Sequence, residues 1–215
     1  MVVKLPLLEW REATLPPAMP PFPVARFTLD EYHRIIALGG LTEDDNIELI
    51  EGWLVKKMSR NTPHDVCLQK LTKCIFGLLP PDWGFRGQSA ITIGMSEPEP
   101  DGAIVLEPAD RYLAHHPLPE EIAVLVEVAN TSLENDRQVK GRIYARAGIA
   151  IYWIVNLIDR QVEVYTSPLN ADEEPRYSRR QDYRDGDSLP VVIQGQEVGR
   201  IAVRDLLPLT PAPSV

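Results

Sequence analysis

The stretch LVEVANTSLENDRQVKGRIYARAG (residues 125–148) decides the fold, because it passes directly from a predicted strand into a predicted helix. Its first part belongs to an apolar run, residues 122–128, that carries a single acid, Glu127. An unpaired carboxylate in a buried strand costs on the order of several kcal/mol. Either a cation meets Glu127 or the strand is not buried. The helix predicted over residues 133–147 supplies a candidate cation in Lys140.

Capping residues, turn residues and hydrophobic spacing predict further elements on both sides of this stretch. A Thr28 cap and the Gly39–Gly40 stop delimit a first helix, and Glu51–Gly52 marks the turn of a hairpin. For a second helix we predict a cap at Thr62 and a capping box completed by Asp65. Strands are predicted over residues 88–94, 101–107 and 122–128, in a hairpin about residues 159–160, and in the last third of the chain. This order predicts a mixed α/β (α+β) domain whose central mixed sheet is flanked by helices.

Length and composition favour one ordinary globular domain. The chain has 215 residues, of which 44% are hydrophobic and 25% charged. Its 20 prolines crowd into the termini and loops, which predicts a proline-rich arm (residues 1–25), a single domain (26–207) and a tail (208–215). No apolar stretch approaches the roughly 20 residues that span a bilayer. The N-terminus has no secretory signal pattern, so we expect a cytoplasmic protein.

Cysteine usage indicates a reducing compartment. Cys67 and Cys74 fall on one predicted helix, about 10 Å apart by helical rise, which is too far for a disulfide. We interpret them as small core side chains. His64 lies nearby, but no second ligand cluster follows, so a zinc site is not predicted.

The charge balance sets a condition on any nucleic-acid function. A formal net charge of −9 works against phosphate binding unless a local basic patch exists. The strip RYSRRQDYR (residues 176–184) is a tempting candidate, but we interpret it as a solvated charge run. Tyr152 and Trp153 are predicted to be core residues, not a platform for base stacking.

Two acids and one lysine form a pattern with a chemical meaning. Asp101 begins one predicted strand and Glu127 lies in the next, so both carboxylates point to one place if these strands are neighbours. Adjacent carboxylates raise each other's pKa unless a cation compensates. Mg²⁺ would compensate them with oxygen ligands while keeping several waters, and Lys140 could position a water or stabilise a phosphate oxygen. The alternative for Lys140 is a surface pair with Asp136 on a solvated helix face.

Several motifs in order resemble the putative restriction endonuclease family of the PD-(D/E)xK nuclease superfamily. The motifs are FTLDEYHRI (27–35), IELIEGWLVKKMS (47–59), PHDVCLQKL (63–71), PDGAIV (100–105) and the continuous segment 125–165. The resemblance spans residues 26–207. It implies a restriction endonuclease-like core, in which a central mixed sheet is flanked by helices.

The resemblance also implies a metal site. Asp101 and Glu127 match the family's metal-binding acids, and the carbonyl of Val128 would complement them. The superfamily's usual lysine lies two residues after the second acid, where this chain has Ala129. The lysine is therefore displaced onto the following helix, where Lys140 matches it.

Two further positions match the family's site. Glu48 corresponds to the early glutamate, with Glu51 as the weaker candidate, and His64 corresponds to the histidine that opens the next helix. The implied activity is hydrolysis of phosphodiester bonds in DNA by a Mg²⁺- or Mn²⁺-dependent endonuclease. Because cutting both strands of a duplex is simplest with two sites, we expect a homodimer.

Two alternatives remain open at this point. The first is a catalytically inactive module with a nuclease fold that serves in binding or assembly. The acidic balance and two departures from the family pattern favour it. The departures are SRNTPH (59–64), which lacks a Ser-Pro pair before the histidine, and ANTS (129–132), which replaces Leu-Ser-Pro-Ser. The other alternative is a nuclease that acts on RNA or single strands.

Overall fold

The computed structural model describes residues 23–58, 60–170 and 174–209, so most of the predicted arm (1–25) and tail (208–215) lies outside the described residues. The helices are α1 (Leu29–Ala37), α2 (Thr62–Phe76), α3 (Leu133–Asn135), a π-helical turn (Asp136–Lys140), α4 (Gly141–Arg146) and α5 (Val203–Leu206). The strands are β1 (Ile47–Ile50), β2 (Trp53–Lys56), β3 (Trp83–Gly87), β4 (Gly102–Leu106), β5 (Ile122–Ala129), β6 (Ile151–Asn156), β7 (Gln161–Leu169), β8 (Arg176–Arg184), β9 (Ser188–Ile193) and β10 (Gln196–Ala202). Short 3₁₀ helices occupy Glu43–Asp45, Ala109–Leu113 and Pro119–Glu121.

A six-stranded mixed sheet in the order β3-β4-β5-β6-β7-β8 forms the centre of the molecule. Only β5 and β6 run parallel; the other neighbours are antiparallel. The parallel pair arises because the helical segment from α3 to α4 crosses over between these two strands, as parallel pairing requires. Two-stranded ribbons, β1–β2 and β9–β10, complete the fold. The predicted mixed sheet flanked by helices is confirmed.

Both faces of the sheet are buried, which explains why β5 reads as a continuous apolar run. On one face Val126 and Val128 pack with α2, α5 and the β9–β10 ribbon. On the other face Leu125 and Ala129 pack with α4. Glu127 lies between these two residues in the strand's alternation, so its carboxylate points toward the helical segment that follows β5.

The start of α2 differs from the predicted cap. Asn61, in extended backbone, is the N-cap, and its side-chain oxygen accepts a hydrogen bond from the His64 N–H at 3.2 Å. Thr62 is already the first helical residue, so the predicted cap at Thr62 and its box with Asp65 are wrong. Asparagine caps a helix at least as well as threonine, and Pro63 fits the first turn as expected.

The strand predicted over residues 88–94 is also wrong. Pairing with β4 is made by residues 83–87, and Gln88 then turns the chain at a φ of 50°. Ile91 and Ile93 are buried, but their N–H groups bond to Pro98 and Ser96 within a loop. The apolar alternation therefore reflects burial against the sheet and not pairing within it.

The predicted hairpins are confirmed. Glu51 and Gly52 turn β1 into β2 with φ values of 50° and 82°. A Cβ at Gly52 would lie 2.6 Å from the Cβ of Arg26, so both the backbone conformation and the space require glycine there. The second hairpin joins β6 to β7, and Arg160 takes a φ of 52° in its turn.

Several smaller expectations are also confirmed. Tyr152 and Trp153 are core residues, and Cys67 is buried while Cys74 is half-buried, neither in a disulfide. The charge run of residues 176–184 forms β8, the largely exposed edge strand of the sheet.

Within the described ranges, no helix combines the length and the apolar composition needed to cross a membrane.

A buried glutamate ties the π-helical turn to the sheet. Glu163 on β7 is fully buried and accepts hydrogen bonds from Asn156 at 2.8 Å and Tyr165 at 2.7 Å. Arg137 in the π-helical turn forms a two-pronged ion pair with it, and Arg180 lies 3.2 Å away. Burial works against the charge, but these donors lower the pKa of Glu163 to about 2.

We expect the Glu163→Gln variant to lose about 2 kcal/mol of unfolding free energy at pH 7. Because the pKa is lowered by folding, this stabilisation is present above the ordinary glutamate range and disappears as the pH falls from about 4.5 to about 2. Urea unfolding at pH 7 and pH 3 measures it. The exposed Glu120→Gln variant is the matched control, and an equal loss at both pH values would contradict this account.

Candidate active site

A cleft opens beside the C-terminal end of β5 and the start of β4. It lies between the β1–β2 hairpin with the start of α2 on one side and the helical segment from α3 to α4 on the other. Apart from the weaker candidate Glu51, all the site residues predicted from the sequence line this cleft. They are Glu48, His64, Asp101, Glu127, Val128 and Lys140. Residues that are remote in the chain are thus brought into one concave surface.

Glu127 and Lys140 form a buried ion pair. The ammonium Nζ donates to the Glu127 Oε1 at 2.9 Å, and the Tyr144 hydroxyl donates to the same oxygen at 2.8 Å. Glu127 is only 3% exposed and Lys140 only 8%. The carboxylate in the buried strand is therefore matched by a cation, and the interpretation of Lys140 as a solvated surface residue is wrong. The contact from Tyr144 was not predicted, although its i+4 spacing from Lys140 places both on one helix face.

The electrostatics of this pair fix the charge of the lysine. Burial raises the pKa of Glu127 well above its usual range, although Lys140 opposes this. Burial alone would lower the pKa of Lys140, but the carboxylates of Glu127, Glu48 and Asp136 raise it above the usual value. Lys140 is therefore an ammonium at neutral pH, suited to holding negative charge and not to accepting a proton.

Asp101 is held by two donors. Its Oδ2 accepts from the Val128 N–H at 2.8 Å and from the His64 Nε2 at 3.0 Å. Burial works against ionisation, but the bonds from His64 and Val128 lower the pKa of Asp101 below its usual value. The bond to Val128 crosses from the start of β4 to the end of β5, and it fixes Asp101 beside Glu127, the residue before Val128.

Glu48 reaches the cleft from β1. It is 5% exposed, and its Oε2 accepts from the Glu99 N–H at 3.1 Å. Glu99 in turn pairs with Lys57 at 2.7 Å. The weaker candidate, Glu51, does not line the cleft. Its carboxylate instead pairs with two arginines of α4, Arg142 and Arg146, and so fastens the hairpin to that helix.

Asp136 is a further acid of the cleft that the sequence did not indicate as such. It is 2% exposed and lines the cleft. Its carbonyl accepts a hydrogen bond from the N–H of Gly141, five residues on, and this bond defines the π-helical turn. The same carbonyl also accepts from the Tyr152 hydroxyl at 3.1 Å. Burial raises the pKa of Asp136, partly opposed by Lys140. The i−4 spacing from Lys140 was visible in the sequence, but only the packing of the helix on the sheet decided that the pair is buried.

The arrangement fits a hard divalent cation that retains water. Asp101 uses only its Oδ2 and Glu127 only its Oε1 for hydrogen bonds within the described residues, so each has a second carboxylate oxygen available. Across residues 23–58, 60–170 and 174–209, no three Asp, Glu, His or Cys side chains converge closely enough to hold an ion by themselves. Mg²⁺ suits such a site, because it takes one or two carboxylates and keeps several waters.

The chain has a nuclease-like fold: a central mixed sheet with an acid-rich cleft beside the neighbouring ends of two of its strands. The chain belongs to the Uma2 family, described as "Putative restriction endonuclease", whose model matches residues 29–204. The family resemblance seen in the sequence is therefore confirmed.

A solved structure supports the same fold. The chain is similar to a putative nuclease belonging to DUF820 from Anabaena variabilis ATCC 29413, with a TM-score of 0.63 and 15% sequence identity. The match covers 84% of this chain and 97% of that chain. At this level of identity the likeness establishes the fold alone. No curated protein matches the sequence.

Proposed function

We propose that the protein is a metal-dependent endonuclease that hydrolyses phosphodiester bonds in DNA. The observation that carries the proposal is the buried ammonium of Lys140, 2.9 Å from Glu127, in a cleft that also holds Asp101 and Glu48. Asp101 and Glu127, with the carbonyl of Val128, would hold Mg²⁺ or Mn²⁺. When bound, the ion supplies Lewis acidity and lowers the pKa of a coordinated water.

Lys140 contributes charge and position. Its raised pKa keeps it cationic, and an ammonium is a compact charge that can stabilise a phosphate oxygen as negative charge develops in the transition state. Tyr144 shares its contact with Glu127 and so limits the orientations open to the pair. Lys140 therefore orients a water or stabilises the transition state, and does not act as the general base.

His64 and Glu48 complete the proposed site. The bond from His64 to Asp101 holds that carboxylate in place. The ring is largely buried but lines the cleft, where it would contact a phosphate or a water. Glu48 would add a further oxygen ligand, directly or through water. Its bond from the Glu99 N–H fixes one oxygen and leaves the other for that role.

The substrate and assembly belong to the same proposal. A cytoplasmic homodimer would present one site to each strand of a duplex, and a solution mass of twice 24.2 kDa is expected. Parallel assays on duplex DNA, single-stranded DNA and RNA identify the substrate. Cleavage restricted to RNA or single strands would replace the duplex assignment.

The wild-type protein is expected to cut supercoiled plasmid in Mg²⁺ or Mn²⁺ and to stop when EDTA removes the metal. Calorimetric titration should show binding of Mg²⁺ or Mn²⁺ that is lost in Asp101→Asn but kept in the exposed control Asp110→Asn. Cleavage that persists in EDTA would overturn the metal dependence. A folded protein that binds neither metal would instead be a non-catalytic binding module.

A further inference from the structure

One wall of the cleft carries cations that the proposed chemistry does not use. This hairpin wall consists of residues 55–58 and Arg60, from the end of β2 into the link to α2, and all its side chains line the cleft. Lys57 is already paired with Glu99. The side chains of Lys56 and Arg60 are exposed, and neither makes a hydrogen bond or an ion pair within the part of the chain that the structure describes.

The hairpin wall also exposes apolar surface beside these cations. Val55 is 37% exposed and Met58 is 51% exposed. The opposite wall carries the buried charges of Asp136 and Lys140, and its less buried side chains are neutral and polar: Asn130, Thr131, Ser132 and Asn135. The cleft is therefore asymmetric, because its exposed cations and exposed apolar side chains lie on the hairpin wall.

This asymmetry bears on how a polyanion could enter an acidic cleft. Five acids line it: Glu48, Glu127 and Asp136 are buried, and Glu99 and Asp101 are half-buried. The whole chain carries a net charge of −9. Phosphate groups are attracted by cations that displace their counterions. Exposed apolar side chains suit the sugar and base faces of a polynucleotide, which a small anion such as inorganic phosphate does not offer.

We propose that the hairpin wall is the contact surface for the nucleic-acid backbone. Lys56 and Arg60 bind phosphates that flank the scissile group, and Val55 and Met58 contact the adjoining sugars or bases. The inference rests on the proposed nuclease function and names the part of the cleft that binds the strand. The arginine strip of β8 lies outside the cleft lining and does not contribute.

The test compares two pairs of cations in the Asp101→Asn background, which we expect not to cleave. One protein carries Lys56→Gln with Arg60→Gln, and the control carries Arg176→Gln with Arg179→Gln on exposed β8. Both lose two positive charges. The probes are fluorescent duplex DNA, single-stranded DNA and RNA of about 20 nucleotides, longer than the roughly 4–16 nucleotides that one single-strand-binding fold covers. Their affinities are measured by anisotropy as a function of salt.

The hairpin-wall pair is expected to weaken binding at least about tenfold at 0.1 M salt and to reduce the slope of log K against log salt by about 2. The β8 pair is expected to change affinity less than about twofold. If both pairs have equal effects, or the hairpin-wall pair has none, the inference is wrong while the proposed nuclease function stands. If the parent binds no nucleic acid at all, the proposed function fails and the inference fails with it.

Discussion

Replacing Lys140 by methionine is expected to reduce plasmid cleavage by about 10²- to 10³-fold, the usual cost of removing one preorganised charge from a transition state. Methionine keeps the length and the packing of the stem but removes the ammonium beside Glu127. Initial rates of supercoiled plasmid cleavage in saturating Mg²⁺ provide the measurement. The control is Lys73→Met, which removes an exposed lysine of α2 and should leave the rate unchanged.

The same assay separates a charge role from a proton-transfer role. Lys140→Arg keeps the positive charge, so it should recover part of the activity although its geometry differs. If Lys140 only stabilises charge, the pH–rate profile between pH 6 and 9 should contain no step caused by deprotonation of this side chain. Cleavage by Lys140→Met at the wild-type rate would remove this residue from the site, whatever the metal does.

The second large effect concerns stability without metal. Lys140→Met is expected to lower the unfolding free energy by about 3 kcal/mol, because it leaves the Glu127 carboxylate buried without its cation. Burial then raises the pKa of Glu127 further above the unfolded value, so the penalty grows as pH rises through the ordinary glutamate range. Urea unfolding in EDTA measures this loss.

A double-mutant cycle tests whether the loss belongs to the pair. Glu127→Gln alone should also destabilise, because it leaves the buried ammonium facing a neutral amide. Lys140→Met with Glu127→Gln removes both charges, and replacing a whole buried pair by uncharged groups is often nearly neutral. We expect the double variant to lose about 2 kcal/mol less unfolding free energy than the two single variants lose together. Strict additivity would show that the two groups do not interact.

Local signals in the sequence predicted most of the elements. Thr28 caps α1 in a complete capping box with Glu31, and Glu51–Gly52 makes the first turn, because these features depend on a few neighbouring residues. The failures arose where two local solutions compete. Asn61 and Thr62 can both cap a helix, and the alternation of residues 88–94 fits a buried loop as well as a strand.

For the candidate site too, the sequence indicated some features and missed others. Asp101, Glu127 and Lys140 were identified from their types and from the family motifs, and the cleft contains all three. Of their partners in the cleft, Tyr144 was not identified, and Asp136 was considered only as a surface partner of Lys140. Tyr144 on Glu127, and Asp136 beside Lys140, depend on how the π-helical turn packs on the sheet, which no pattern of spacing reports.

By itself, then, the sequence determined most of the elements, the family and the residue types that can carry chemistry, since caps, turns and alternation act over a few residues. Only the tertiary structure decided which charges meet. The order of β4, β5 and β6, and the crossover helix between β5 and β6, place Lys140 2.9 Å from Glu127. Burial then couples those charges strongly because water no longer screens them, and burial is a property of the packed chain as a whole.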